Sequence, residues 1–152
     1  MDKIFVDSGI LVTHCMVGDD RLIKLLGEYE LFTTPNVIEE SFYKSLFLRA
    51  EIVYGKSSKY LLKEKYIKEQ ANFEPVYKYF ANFLKQLILF EALKIVSADS
   101  NIILRSVELS WKYKLLPNDA LIAAACEHYD LKKIATLDGD FKRVDFLEII
   151  EL

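Results

Sequence analysis

The sequence is poor in the features that would support a disulfide-stapled, fibrous or membrane-spanning protein. Its 152 residues include two cysteines, Cys15 and Cys126, which lie far apart, so a disulfide framework is excluded and we expect both thiols to stay reduced. Five glycines and three prolines are too few for a collagen-like or linker-rich chain. No apolar run reaches the ~18–20 residues that cross a bilayer, and no secretory signal pattern follows Met1. We therefore expect a cytoplasmic protein that makes no membrane contact.

The chain also lacks a strong charge of one sign. Lysine and arginine together number 20 and aspartate and glutamate 23, which gives a net charge of −3. No basic field covers the whole molecule, so a nucleic-acid partner would need a local basic patch or bridging cations. What the chain does have is a 52% hydrophobic composition, enough for one globular domain over residues 1–152 with a substantial core.

Apolar patterning predicts an alternation of strands and helices along the chain. Strands are expected at residues 3–7, 30–34, 93–98, 133–138 and 144–152. Helices are expected at residues 21–30, 35–55, 57–71, 73–93, 99–115 and 118–130, with Thr34 as a cap and Pro35 at a first helical position. This order is typical of an α/β fold with a central, mostly parallel sheet of four to five strands flanked by helices. The helical stretch at about 55–93 carries no recognisable motif.

Acidic residues occur where four of these elements should meet at one edge of the sheet. Asp7 ends the first strand and Asp138 ends the fourth. Glu39 and Glu40 lie in the opening turns of the helix after the second strand, and Asp119 opens the helix that runs back before the fourth. The carboxyl ends of parallel strands lie on the edge where α/β proteins bind ligands. The sequence therefore predicts an acidic site at that edge.

Such a cluster needs a positive charge, because neighbouring carboxylates repel each other and raise each other's pKa. No lysine or arginine lies within two positions of Asp7, Glu40 or Asp119, or just before Asp138. Carboxylate oxygens suit Mg²⁺ or Mn²⁺, and no His/Cys set has zinc spacing. Such ions activate water and stabilise charge on phosphate oxygens, so the pattern indicates metal-assisted phosphodiester hydrolysis.

Each acid also has a purely structural interpretation. Asp119 with Asn118 is compatible with a simple helix cap, and Asp7 before Ser8-Gly9 with an Asx-turn. Glu39 and Glu40 are compatible with a favourable interaction with the helix dipole, and Asp140 with an ordinary turn. The placement of all four segments on one edge favours a shared site over four separate coincidences.

Four stretches resemble, in order and spacing, the acidic motifs of PIN-domain nucleases. They are "IFVDSGILV" (4–12), "TTPNVIEESFY" (33–43), "LPNDALIAAAC" (116–126) and "IATLDGDF" (134–141). The branch they are most similar to is that of the small prokaryotic VapC-type toxins and their archaeal relatives. The resemblance implies a compact PIN-like fold and metal ligands at Asp7, Glu40, Asp119 and Asp138. It also implies Asp140 as an auxiliary acid, with Thr136 and Ser8 as polar residues that support the ligands.

Glu40 is preferred to Glu39 because it follows Thr34 by six residues, as in the family's motif, whereas helix phase does not separate the two. The resemblance further implies cleavage of single-stranded RNA by a metal-activated water, frequent homodimers, and a VapB-type antitoxin for toxin members. Two alternatives stay open within the family: a non-catalytic RNA- or protein-binding module, and an RNA-processing nuclease without an antitoxin. A phosphatase or receiver domain with an aspartate nucleophile would want a lysine after a late strand, which the sequence does not provide.

Three further features of the sequence bear on function. Lys44 and Arg49, on the helix of Glu40, are placed to touch a phosphate. Trp111 and Tyr113 are expected to pack rather than stack on bases. An apolar stripe on the predicted helix 73–93 is expected to be core, with a dimer or antitoxin groove as the alternative. The stripe comprises Phe73, Tyr77, Phe80, Leu84 and Leu87.

Overall fold

The computed structural model describes all 152 residues, Met1–Leu152, and contains one five-stranded sheet with helices on both sides. The strands are β1 (Asp2–Val6), β2 (Tyr29–Thr33), β3 (Leu93–Ile95), β4 (Lys133–Ala135) and β5 (Glu148–Ile149). Their order across the sheet is β3-β2-β1-β4-β5, and each adjacent pair is parallel. This confirms the predicted α/β class and the largely parallel sheet.

Seven α-helices connect the strands, as parallel pairing requires. They are α1 (Ser8–Met16), α2 (Arg21–Glu28), α3 (Pro35–Tyr54), α4 (Lys59–Lys68), α5 (Glu74–Leu89), α6 (Ser100–Tyr113) and α7 (Pro117–His128). Short 3₁₀ turns lie at Gln70–Phe73 and Gly139–Arg143. None of these helices has both the length and the apolar character needed to cross a membrane.

The core forms around the middle strand and the helix that precedes β4. Ile4, Phe5 and Val6 of β1 are fully buried, and Phe5 pairs with Phe32 of β2 on one side and Ile134 of β4 on the other. Helix α7 buries almost every apolar side chain it has, including Ile122 and Cys126. A helix that is apolar on nearly all faces is stable only when it is enclosed. This enclosure fixes the start of α7 relative to the ends of β1 and β4.

The stretch at about 55–93 has a small core of its own. Leu46 and Ala50 of α3 pack with Leu62 of α4, Phe73 and Val76 in a separate buried cluster. Of the predicted stripe, Phe73, Phe80 and Leu87 are buried, whereas Tyr77 is 57% exposed. The stripe is therefore partly core, and Tyr77 and Leu84 line an apolar groove between α3 and α5.

Two expectations from the sequence were wrong in detail, the extent of the final strand and the packing of Trp111, while the position of Thr34 as the cap of α3 is confirmed. The final strand is two residues long rather than 144–152, because Leu147 N donates back to Val144 O in a turn and pairing with β4 begins only at Glu148. Thr34 occupies the cap position of α3, but its buried hydroxyl makes no hydrogen bond. Trp111 is 91% exposed rather than packed, while Tyr113 is buried and donates to Asp145.

Candidate active site

A cavity of about 600 Å³ opens at the carboxyl edge of the sheet, where β1 and β4 end and α3 and α7 begin. Four of its eleven lining residues are acidic, and we call it the acidic cavity. The lining residues are Asp7, Ser8, Gly9, Glu40, Lys44, Leu116, Asn118, Asp119, Leu137, Asp138 and Gly139. The structure thus brings together one acid from each of the four segments that the sequence places at this edge.

Asp7 is the most deeply buried of these acids, with 6% of its surface exposed. Its backbone N–H donates to Ala135 O of β4 at 3.0 Å, which fixes the residue between the two central strands. Its Oδ1 accepts from Ser8 N at 2.7 Å, and its Oδ2 accepts from Thr136 Oγ1 at 2.6 Å. Burial raises the pKa of Asp7, while the bonds from Thr136 and Ser8 act in the opposite direction. The Thr136 hydroxyl and the backbone N–H of Ser8 therefore orient this carboxylate.

Glu40 is oriented by two donors, one on α3 and one on α7. Its Oε2 accepts from Asn118 Nδ2 at 3.0 Å, and its Oε1 lies 3.0 Å from Lys44 Nζ. Asn118 in turn accepts from Asn36 Nδ2 at 2.9 Å, so two amides link the starts of the two helices. Glu39 is exposed and lines the separate apolar groove. The structure therefore separates the two glutamates that helix phase leaves equivalent.

Asp119, Asp138 and Asp140 form the tightest acidic group in the molecule. One carboxylate oxygen from each lies within 4.8 Å of the others. Burial, followed by the negative charge of Asp138, raises the pKa of Asp119 to about 7, and Asp7 and Glu40 add to this effect. The pKa of Asp119 is therefore raised by two causes, the loss of solvent on burial and the crowding of carboxylates around it.

The turn after β4 holds Asp138 and Asp140 in place. Thr136 Oγ1 accepts from Asp138 N at 3.0 Å, and Asp138 Oδ1 accepts from Asp140 N at 2.9 Å. Asp140 Oδ1 also lies 3.0 Å from Arg143 Nη1, and Arg143 donates to the backbone carbonyls of Tyr113 and Lys114. Thr136 thus bonds both to the Asp7 carboxylate and to the backbone of Asp138. The same hydroxyl sets the spacing of two acids from different strands.

Of the two basic residues expected near a phosphate, Lys44 lies at the cavity and Arg49 does not. Lys44 lines the acidic cavity and donates to Ser8 Oγ at 3.1 Å in addition to its pair with Glu40. The four-residue spacing from Glu40 to Lys44 on one helix is the sequence signal for that contact. Arg49 is not at the cavity and donates to Asn72 O at 2.9 Å instead. Asn36 had no signal in the sequence.

The donor set suits a hard divalent cation. All the acidic groups are carboxylates, which match the oxygen preference of Mg²⁺ and Mn²⁺, and a positive ion would relieve the repulsion that raises the pKa of Asp119. Both thiols are free, and Cys126 is fully buried, where burial raises its pKa. Neither thiol lines the acidic cavity. The chemistry of this edge therefore rests on carboxylates.

Comparison with known proteins gives a consistent assignment. The family model described as PIN domain matches residues 4–147. Ribonuclease VapC2 of Methanocaldococcus jannaschii is 37% identical over 99% of this chain and 95% of its own length. Ribonuclease VapC6 of the same organism is 33% identical over 98% and 97%. A chain of a toxin-antitoxin complex from Klebsiella pneumoniae shares the fold, with a TM-score of 0.58, 18% identity and coverage of 97% and 96%. On these matches, the chain belongs to the PIN-domain family.

Proposed function

We propose that this protein is a metal-dependent endoribonuclease that hydrolyses phosphodiester bonds of single-stranded RNA. The observation that carries the proposal is the cluster of Asp119, Asp138 and Asp140 oxygens within 4.8 Å, since Asp119 and Asp138 line a cavity together with Asp7 and Glu40. The two curated relatives, at 33% and 37% identity over nearly the whole chain, are named ribonucleases, which supports this activity.

Mg²⁺ or Mn²⁺ is the proposed cofactor. When bound, such an ion lowers the pKa of a coordinated water and offsets negative charge on the phosphate. Asp119 and Asp138 would hold the ion, with Asp140 at the exposed rim as an auxiliary acid. Asp7 and Glu40 complete the proposed ligand set. Their orientation by Thr136 and Ser8, and by Asn118, limits the movement that a loose ligand would allow.

The partners are also part of the proposal. The solved relative stands in a toxin-antitoxin complex, which supports a VapB-type antitoxin for this chain; the alternative is an RNA-processing nuclease that works without one. A homodimer is proposed because one face of α6 leaves Ile103, Leu104, Val107 and Trp111 between 51% and 91% exposed. Free thiols are typical of a cytoplasmic setting, where we place the reaction.

The rival function is a PIN-like module that binds RNA or a protein without cutting. It retains the fold but does not need Asp119 for anything beyond structure. Replacing Asp119 by Asn keeps the shape and removes the charge, so the two functions predict opposite results. A nuclease loses cleavage while still binding RNA, and a binding module shows no cleavage to lose.

The test is cleavage of a labelled single-stranded RNA pool by the purified chain with Mn²⁺, with Mg²⁺ and with EDTA. We expect cutting with either metal, none with EDTA, and none from Asp119→Asn. Asp130→Asn is the matched control, since Asp130 follows the other end of α7 with its side chain 83% exposed. Cleavage that persists in Asp119→Asn, or that is absent from the folded wild type with either metal, contradicts the nuclease proposal.

A further inference from the structure

The lining of the acidic cavity contains one cationic side chain. Lys44 Nζ lies 3.0 Å from Glu40 Oε1 and 3.1 Å from Ser8 Oγ. It is the only lysine or arginine among the eleven residues that line the cavity. Its side chain is 48% exposed, so the ammonium group is accessible from the solvent side.

The cavity therefore combines two chemically different groups. Asp119 and Asp138 of its lining converge with Asp140, one oxygen from each lying within 4.8 Å of the others, and Arg143 pairs with Asp140. Both oxygens of Glu40 have protein donors, Asn118 and Lys44.

An RNA strand brings negative charge into a cavity that is already negative. A metal ion held by the aspartates would offset part of this charge. Lys44 supplies the one positively charged side chain in the cavity lining. A lysine on a flexible four-carbon stem is a point charge suited to a phosphate oxygen.

We propose that Lys44 binds a phosphate of the RNA strand in the acidic cavity, beside Glu40. This inference rests on the proposed function, because RNA is the substrate it assumes. Glu40 and Ser8 hold the ammonium group in the free protein and keep it directed into the cavity. In the complex the phosphate replaces the Ser8 hydroxyl as a partner of the Lys44 ammonium group, which stays paired with Glu40.

The alternative is that Lys44 only stabilises α3 through an ion pair with Glu40. The chain contains an internal comparison for this role. Lys78 pairs with Glu74 on α5 at 2.7 Å with the same four-residue spacing, and it lies outside the acidic cavity. A purely helical role predicts that the two lysines respond alike to substitution, whereas the phosphate role predicts that only Lys44 affects RNA binding.

The salt dependence of RNA affinity separates these roles. Each phosphate contact on a single strand contributes about 0.7 to the slope of log affinity against log salt concentration. We would measure binding of a short fluorescent single-stranded RNA by anisotropy over a range of KCl concentrations with Mg²⁺ present. The parent is Asp119→Asn, which removes cleavage from the measurement. Lys44→Gln, Lys44→Arg and Lys78→Gln are each added to it.

We expect Lys44→Gln to lower the slope by about 0.7, with Lys44→Arg and Lys78→Gln at the parent value. Thermal melts by circular dichroism should show that Lys44→Gln and Lys78→Gln unfold at similar temperatures. An unchanged slope in Lys44→Gln, an equal fall in Lys78→Gln, or a parent that does not bind RNA overturns the inference.

Cleavage by the wild type is measured separately. If the wild type cleaves RNA while Lys44→Gln leaves the slope unchanged, the nuclease function is supported and the role of Lys44 is not. If the wild type does not cleave RNA while Lys44→Gln lowers the slope, the phosphate contact is supported and the nuclease function is not.

Discussion

The side-chain amide of Asn118 on α7 donates to the carboxylate of Glu40 on α3, with 3.0 Å between Nδ2 and Oε2. The two residues are 78 positions apart, and the bond joins the second turn of α3 to the first turn of α7. It turns an acid on a half-buried helix face toward the cavity. Asn118 and Thr136 carry no charge, yet each donates a hydrogen bond that orients a carboxylate of the cavity.

Replacing Asn118 by Ala is expected to lower metal-dependent RNA cleavage by about 10–100-fold, the usual loss when a residue that orients a metal ligand is removed. Alanine is a good helix former, so α7 should stay intact. The measurement is kcat/KM as a function of Mn²⁺ concentration. Asn101→Ala on α6 is the control, because Asn101 is exposed. Equal activity of the two variants would show that Glu40 needs no help from Asn118.

Replacing Thr136 by Val is expected to cost about 1–3 kcal/mol of stability, because the buried Asp7 carboxylate loses the hydroxyl that donates to it. Without that bond the pKa of Asp7 rises further, since burial already favours its neutral form. Urea denaturation at neutral pH measures the loss. Thr136→Ser keeps the hydroxyl and should recover most of it. A valine variant as stable as the wild type would mean that Asp7 does not depend on Thr136.

The metal-free protein should become less stable as the pH rises from about 4 to about 7. Burial and neighbouring carboxylates raise the pKa of Asp119 to about 7 in the folded chain, against an ordinary value of 3.8, so at intermediate pH the folded state binds more protons than the unfolded state. Under that condition stability falls with rising pH. Since Asp119 is only half-buried, solvent screening limits the effect to on the order of 1 kcal/mol.

Urea denaturation in EDTA at about pH 5 and about pH 7.5 checks the sign of this effect. The Asp119→Asn variant should have a flatter profile and exceed the wild type at the higher pH, because it carries no carboxylate to ionise. Asp130→Asn, at the exposed end of α7, should follow the wild type. If the metal-free wild type becomes more stable over this pH range, the pKa of Asp119 is not raised by its burial and its neighbouring carboxylates.

Mn²⁺ should raise the melting temperature of the wild type. A ligand present at 100 times its dissociation constant adds about 2.7 kcal/mol, and for a domain of this size each kcal/mol moves the midpoint by about 2–4 °C. A rise of roughly 5–10 °C is therefore expected, with most of it lost in Asp119→Asn. Differential scanning fluorimetry with and without EDTA measures it. An equal rise in both proteins would place the ion somewhere else.

The acidic edge could be predicted from the sequence because each acid lies directly at the end of a strand or near the start of a helix. Asp7 and Asp138 come directly after apolar strands, and Asp119 opens an apolar helix that must run antiparallel to the next strand. Once the strands are parallel, such positions share one edge whatever the details of packing. Sequence reasoning is weaker about which face of a helix is covered by another element. It placed Trp111 in contact with the core, yet the residue lies on a face of α6 that no other element covers.

The sequence by itself determined the alternation of strands and helices, the parallel sheet and the edge at which the carboxylates meet, because these depend on hydrophobic period and chain direction. Only the tertiary structure decided which glutamate faces the cavity, that Asn36 and Asn118 orient it, and that Lys44 reaches Ser8 across 36 positions. These contacts depend on the angle and distance at which α3 packs beside α1 and α7. That geometry is set by many side chains at once, and no short stretch of sequence encodes it.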